Sequence, residues 1–164
     1  MIGCNGKVIK VGKLEGSGSS LPAGQVGGDF FEFIVHNEKT VVAAIGDVMG
    51  KGFPAAYLME TIRQMLWECV NITPQPLEVV RRLNKIGGDE LRRQGAFVTL
   101  CILCCDGETG RVSCVNAGHH PPIILSSGEV KVVQCRGVAL GLLEDYLGSG
   151  EEEIYLSPGD AVVM

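Results

Sequence analysis

Residues 26–52 read VGGDFFEFIVHNEKTVVAAIGDVMGKG, and the order of apolar runs and carboxylates in this stretch decides the fold. FFEFIV and TVVAAIGDV are runs rich in β-branched and aromatic residues, separated by His36-Asn37-Glu38-Lys39. That polar tetrad suits a tight turn between two antiparallel strands. Asp29 opens the first strand and Asp47, eighteen residues on, closes the second. An antiparallel hairpin therefore brings the two carboxylates to one edge of a sheet. Carboxylates at close quarters repel unless one is protonated or a cation bridges them. Hard, oxygen-preferring ions such as Mg2+ or Mn2+ match the pair and suit phosphoryl chemistry. Spacing alone leaves open the plainer reading that both Asp residues merely occupy turns beside glycine.

Upstream of this hairpin, residues 12–28 are rich in Gly and Ser and read as a loop. Downstream the period changes. Ala55, Leu58, Met59, Ile62, Met65, Leu66 and Cys69 recur at three- and four-residue spacing after Pro54, which predicts an amphipathic helix. A second helix is predicted from Pro76, with Leu77, Val80, Leu83 and Ile86 inward and Arg81, Arg82 and Lys85 outward, ending near Gly87-Gly88 or continuing to Arg93. Beyond Gly95 the chain returns to short strands: FVTLCILCC, RVSCVNA, PIIL, KVVQC, EIYL and AVVM, parted by Gly, Ser and Pro. One helical pair within a run of strands indicates α+β with antiparallel sheets, not a βαβ parallel fold. With no repeat and no shift of composition, residues 1–164 form one domain.

Composition excludes several classes. A chain of 164 residues that is 46% hydrophobic can bury a real core. Its net charge of −5 provides no basic face for a nucleic-acid backbone. No apolar run reaches the roughly 18 residues of a membrane span, and MIGCNGKVIK lacks the apolar core of a signal peptide, so a cytosolic protein without membrane contact is expected. Seven cysteines are an odd number without a mark of secretion, which favours reduced thiols. Cys101-x-x-Cys104 has zinc-ligand spacing, but no second pair follows, and in a strand these two side chains point to opposite faces. Gly46 to Gly52 is no Walker loop: three residues, not four, precede Gly50-Lys51, and Gly52 follows the lysine.

Taken together, VGGDFFEF, IGDVMGKGFPAAYLM, FVTL, DGETGRVSCVNAGHHPP, GVALGLL and LSPGDAVVM stand in the order found in metal-dependent serine/threonine phosphatases of the stage II sporulation E type, so that residues 24–164 resemble that family. The resemblance implies two antiparallel sheets packed face to face between helical pairs, with two Mn2+ or Mg2+ ions at one end. It places Asp29 at a family metal ligand, Asp47 at the carboxylate shared by both ions, and the backbone carbonyl of Val48 at a further ligand. It also implies attack on phosphoserine or phosphothreonine by a hydroxide bridging the metals, with Asp29 and Asp47 as the catalytic carboxylates.

Other positions carry weaker implications. Gly50, Gly52 and Pro54 join the ligand strand to the Ala55–Cys69 helix, so the helical pair is either a switch on the metal site, as in similar phosphatases, or plain core packing. Lys51 is expected to be solvated. His119 and His120 fall in a family motif that reads as a structural turn. Glu32 stands where many relatives carry Asp, with a longer reach to neighbouring hydrogen bonds. Relatives continue past the equivalent of GDAVVM to two more Asp ligands that Asp160 cannot replace, together with further helices and a last strand. A chain without these is expected to expose an apolar sheet face and to self-associate.

The implied partner is a phosphorylated regulatory protein of the anti-sigma-factor-antagonist type, in bacterial sigma-factor or stress signalling. Two alternatives stand beside the enzyme. One is an inactive pseudophosphatase that binds a phosphoprotein. The other is a homodimerisation module using the Ala55–Cys69 helix.

Overall fold

The hairpin predicted between residues 29 and 48 forms one edge of the central sheet in the computed structural model, which describes residues 7–21 and 26–164. Strands β3 (Asp29–Val35) and β4 (Thr40–Val48) flank a turn closed by Asn37, whose Oδ1 accepts the amides of Lys39 and Thr40 at 2.9 Å each. Asn is favoured in turns because its side chain satisfies backbone donors locally. Next to β4 lie β5 (Val98–Asp106), β6 (Arg111–Ala117) and β9 (Glu152–Tyr155), giving the antiparallel order β3-β4-β5-β6-β9.

A second sheet has the order β10-β7-β8, from β7 (Ile123–Ser126), β8 (Glu129–Val132) and β10 (Ala161–Val163). Strand alternation separates two cores. Leu100 and Ile102 of β5 face helices α1 (Gly52–Ile72) and α2 (Pro76–Arg93), whereas Cys101 and Leu103 face the second sheet with Ala43, Cys114, Val133 and Cys135. The fold is thus α+β, with antiparallel sheets face to face and a helical pair on the outer face of the larger one. Cys101 and Cys104 point to opposite faces, as the strand reading requires. The described cysteines are free thiols, and burial pushes Cys104 up to about 11 and Cys105 up to about 12.

The helices decide one alternative and correct one detail. Helix α2 runs on to Arg93, the longer of the two expected ends, and Gly87 within it faces α1, where a β-carbon would stand 3.2 Å from Ile62 Cδ1 and 3.3 Å from Met65 Sδ. Glycine lets the two helices approach. Ile86 is exposed rather than inward: the buried stripe runs Val79, Val80, Leu83, Gly87, Leu91, and Ile86 lies on its flank.

The Gly/Ser-rich segment is also corrected. Residues 14–18 are not loop but strand β2 (Leu14–Gly18), paired antiparallel with β1 (Lys7–Val11). The glycines there make room for aromatic rings instead of supplying flexibility. A β-carbon at Gly16 would lie 3.1 Å from the Phe33 ring, and one at Gly18 would lie 2.5 Å from the Phe31 ring. Residues 22–25 of that segment fall outside the described residues.

On the outside of the second sheet, cross-strand rows Val163–Ile123–Val132 and Ala161–Leu125–Val130 form an exposed apolar face. A cleft of about 1240 Å3 lies over the inner face of the central sheet between the β1–β2 hairpin and β10, lined by Phe31, Phe33, Ala43, Ile45 and Leu103. Among the described residues no helix is long and apolar enough to cross a membrane.

Candidate metal centre

Strand pairing sets Asp29 directly opposite Asp47, and Asp47 directly opposite Thr99 of β5. Residues facing each other across a ladder project to the same side of the sheet. The row Asp29–Asp47–Thr99 therefore lies at one end of the central sheet, on the face turned to the second sheet. The hairpin read from the sequence does bring the two carboxylates together. They do not line the large cleft, which lies farther along the strands.

Val48 behaves differently. Its side chain is fully buried towards the helices, so only its backbone can serve the site. Val48 N donates to the Gly28 carbonyl at 3.2 Å, and a β-carbon on Gly28 would come within 2.3 Å of the Val48 carbonyl oxygen. Glycine at 28 is thus demanded by close backbone approach. After Val48 the chain turns through Gly50 and Gly52, both at positive φ (116° and 69°), into α1. Lys51 caps that helix without a side-chain hydrogen bond and is exposed, as expected.

His119 approaches from the other side. Asn116, itself buried, closes the turn by accepting the His119 amide at 2.8 Å and donating to the His119 carbonyl at 2.9 Å, with Gly118 at φ 75° between them. Tyr146 OH donates to the Asn116 carbonyl at 2.8 Å. The motif is a structural turn, as read, yet its product is a placed imidazole. His119 Nδ1 lies 2.8 Å from Thr99 Oγ1, beside the carboxylate row. The sequence reading gave this histidine no site role. A signal was present in the Asn-x-x-His spacing, which fixes a ring at the end of β6, but only the β5–β6 register shows that this end meets Thr99.

The electrostatics fit a cation. Burial first, and the Asp29 charge second, push the Asp47 carboxyl above its usual value, while His119 pulls it down. The His119 imidazole is held below its usual value by burial and by His120, against the pull of Asp47 and Asp29. Among the described residues His119 is the one basic side chain that lowers the Asp47 carboxyl, and no lysine or arginine shares that part. Two carboxylates and a carbonyl oxygen are the donor types that Mg2+ and Mn2+ take. Among the described residues no third His, Cys, Asp or Glu joins them in a ligand cluster. The site can therefore hold a hard divalent cation through part of its coordination shell.

Comparison with known proteins gives the same fold. The sequence profile of the family described as Stage II sporulation protein E (SpoIIE) matches residues 37–164. "Phosphoserine phosphatase RsbU" of Bacillus subtilis is 27% identical over 160 residues, covering 96% of this chain and 47% of that protein. Among solved structures, the RsbU and RsbW domains of Rv1364c from Mycobacterium tuberculosis superpose with a TM-score of 0.72 at 24% identity, over 87% of this chain and 39% of that one. The PP2C phosphatase domain of SpoIIE from Bacillus subtilis, with a fragment of its regulatory domain, gives a TM-score of 0.69 at 20% identity, over 95% and 43%. The chain thus spans about half the length of these relatives, or less.

Proposed function

The chain belongs to the stage II sporulation protein E family, and from that premise we propose that it hydrolyses phosphoserine or phosphothreonine on a small regulatory protein with the help of divalent cations. One observation carries the reading: in a chain of this family, Asp29 and Asp47 face each other at the open end of the sheet. In this reading both carboxylates and the Val48 carbonyl hold Mn2+ or Mg2+, with Asp47 the more central because it stands between Asp29 and Thr99. When bound, such ions supply a water activated near neutral pH and neutralise charge on the phosphoryl oxygens. Thr99 orients His119 beside the row, where the ring can contact an incoming phosphoryl group or its leaving oxygen. Similarity to a phosphoserine phosphatase supports the substrate class, and a phosphorylated protein of the anti-sigma-factor-antagonist type is the proposed partner.

The test is release of inorganic phosphate from a phosphoserine protein substrate with Mn2+, with EDTA, and with Asp47→Asn. Activity that needs Mn2+ and is lost in the variant supports the reading. Equal phosphate release from wild type and variant would sink it. A second reading, a phosphoprotein-binding module without turnover, uses the same facing Asp29 and Asp47 to hold a cation that contacts the phosphoryl group. It predicts saturable binding of the phosphorylated partner and no phosphate release at any Mn2+ concentration.

A further inference from the structure

Strand β3 carries a second carboxylate whose position has a cost. Alternation places Phe30, Glu32 and Ile34 on the helix-facing side, and Glu32 is only 2% exposed, among apolar neighbours. A buried carboxylate is tolerated only with a charged, hydrogen-bonded partner. Arg63 of α1 provides it: Nε donates to Glu32 Oε1 at 2.7 Å, Nη2 donates to the same oxygen, and Nη1 donates to Glu60 at 2.8 Å. Trp67, one helical turn farther on, donates from Nε1 to Glu32 Oε2 at 3.3 Å.

We propose that the buried Glu32–Arg63 ion pair is a positioning device for the carboxylate edge, fixing α1 against β3 and so setting the affinity of Asp29 and Asp47 for a divalent cation. The inference rests on the metal-centre reading above. Its basis is mechanical. Glu32 lies three residues from Asp29 on one rigid strand, and α1 begins four residues after Val48. A three-residue link, residues 49–51, joins Val48 to Gly52 at the start of α1; it ties that end of the helix closely to the ligand strand and leaves the tilt of the helix to its packing farther along. Leu58, Met59, Ile62 and Leu66 hold α1 to the sheet by apolar contact, which is non-directional. The guanidinium instead imposes a direction, because two of its nitrogens converge on one carboxylate oxygen. Arg63 is about 16 Å along the helix from Gly52, so a small rotation at the pair is carried to Val48 and Asp47 by a stiff rod.

Calorimetric titration of the whole chain with Mn2+ tests this, alongside melting in EDTA. Glu32→Gln should weaken Mn2+ binding by about tenfold, the scale seen when groups supporting metal ligands are lost. Arg63→Lys keeps the charge but not the two-nitrogen grip, and should weaken it by roughly threefold. The latter decides the matter if Glu32→Gln does not fold. A purely structural pair would lower the melting temperature and leave Mn2+ affinity within about twofold of wild type, which overturns the proposal. Trp67 is the sole tryptophan and touches Glu32, so Mg2+ should shift its emission in wild type and not in Asp47→Asn. An unchanged emission at saturating Mg2+ also overturns it. If Asp47→Asn binds Mn2+ as wild type does, or wild type does not bind, the metal-centre reading itself fails and this inference goes with it.

Discussion

Replacing Asp47 with Asn should stabilise the chain when metal is absent and leave it the less stable form when metal is present. Asp29 and Asp47 are cross-strand neighbours, and facing β-carbons stand about 4.5–5.5 Å apart. Two unit charges about 5 Å apart repel by roughly 0.8 kcal/mol in bulk water and roughly 3 kcal/mol at an effective dielectric of about 20. Asp47 is solvent-accessible, so screening keeps the effect near the lower figure, about 1 kcal/mol. In a chain of 164 residues that corresponds to about 3 °C in Tm.

The pH dependence fixes the sign. Burial and Asp29 raise the folded-state carboxyl of Asp47 above its ordinary 3.8, so the folded chain holds that proton more tightly than the unfolded one. Its stabilising contribution is complete below about 3.8 and is lost as pH rises through the raised value. The advantage of Asn should therefore be full at neutral pH, shrink as pH falls, and vanish once Asp47 is protonated. Melts of both proteins in EDTA from acid to neutral pH measure this. Mn2+ at about one hundred times its Kd should then add about 2.7 kcal/mol to wild type alone and invert the order. A variant less stable than wild type in EDTA at neutral pH would refute the argument, as would an advantage undiminished in acid.

Three other outcomes follow from the packing. Gly28→Ala drives a β-carbon to within 2.3 Å of the Val48 carbonyl oxygen. The backbone must move, so denaturant melts should show a loss of at least about 2 kcal/mol, and calorimetry a loss of Mn2+ binding. Buried Cys101, Cys114 and Cys135, with Cys104 and Cys105 raised to about 11 and about 12, should resist a thiol reagent in the native chain and react on unfolding; mass spectrometry of labelled peptides reads this. Val130→Lys with Val132→Lys, on the exposed apolar rows of the second sheet, should reduce self-association measured by sedimentation.

Much of this architecture can be read from residue order because local signals and long-range pairing agree. The polar interval His36–Lys39 locates the turn and makes the hairpin legible, but not its exact register: His36 bonds across to Thr40, Val35 faces Val41, and that pairing buries Phe30, Ile34, Val42 and Ala44 together and sets Asp29 against Asp47. Strand β2 is hidden by composition: Gly16 and Gly18 read as loop residues until the Phe31 and Phe33 rings that fill their missing side chains are known. Ile86 is misplaced because an apolar residue on the flank of a helix satisfies a three-to-four spacing as well as one in the buried stripe. The turn signal Asp106–Gly110 joins β5 to β6, but placement of His119 depends on how far β6 runs back along β5 before Gly118 bridges Leu100, which the turn residues alone do not give.

The Glu32–Arg63 pair lies between these cases. Alternation alone puts Glu32 on the same side as Phe30 and Ile34, and a carboxylate on a core face demands a cation. That half was legible. Its partner was not, since a helical stripe of Ala55, Leu58, Met59, Ile62 and Leu66 leaves Arg63 at the margin, and only the rotation of α1 on the sheet decides whether the guanidinium turns inward. The same rotation governs how α1 pulls on Gly50, Val48 and Asp47. Apolar packing of Leu58, Met59, Ile62 and Leu66 already restricts how α1 lies on the sheet, and on the proposal above the buried charge narrows that orientation further at the helix that follows the candidate ligands.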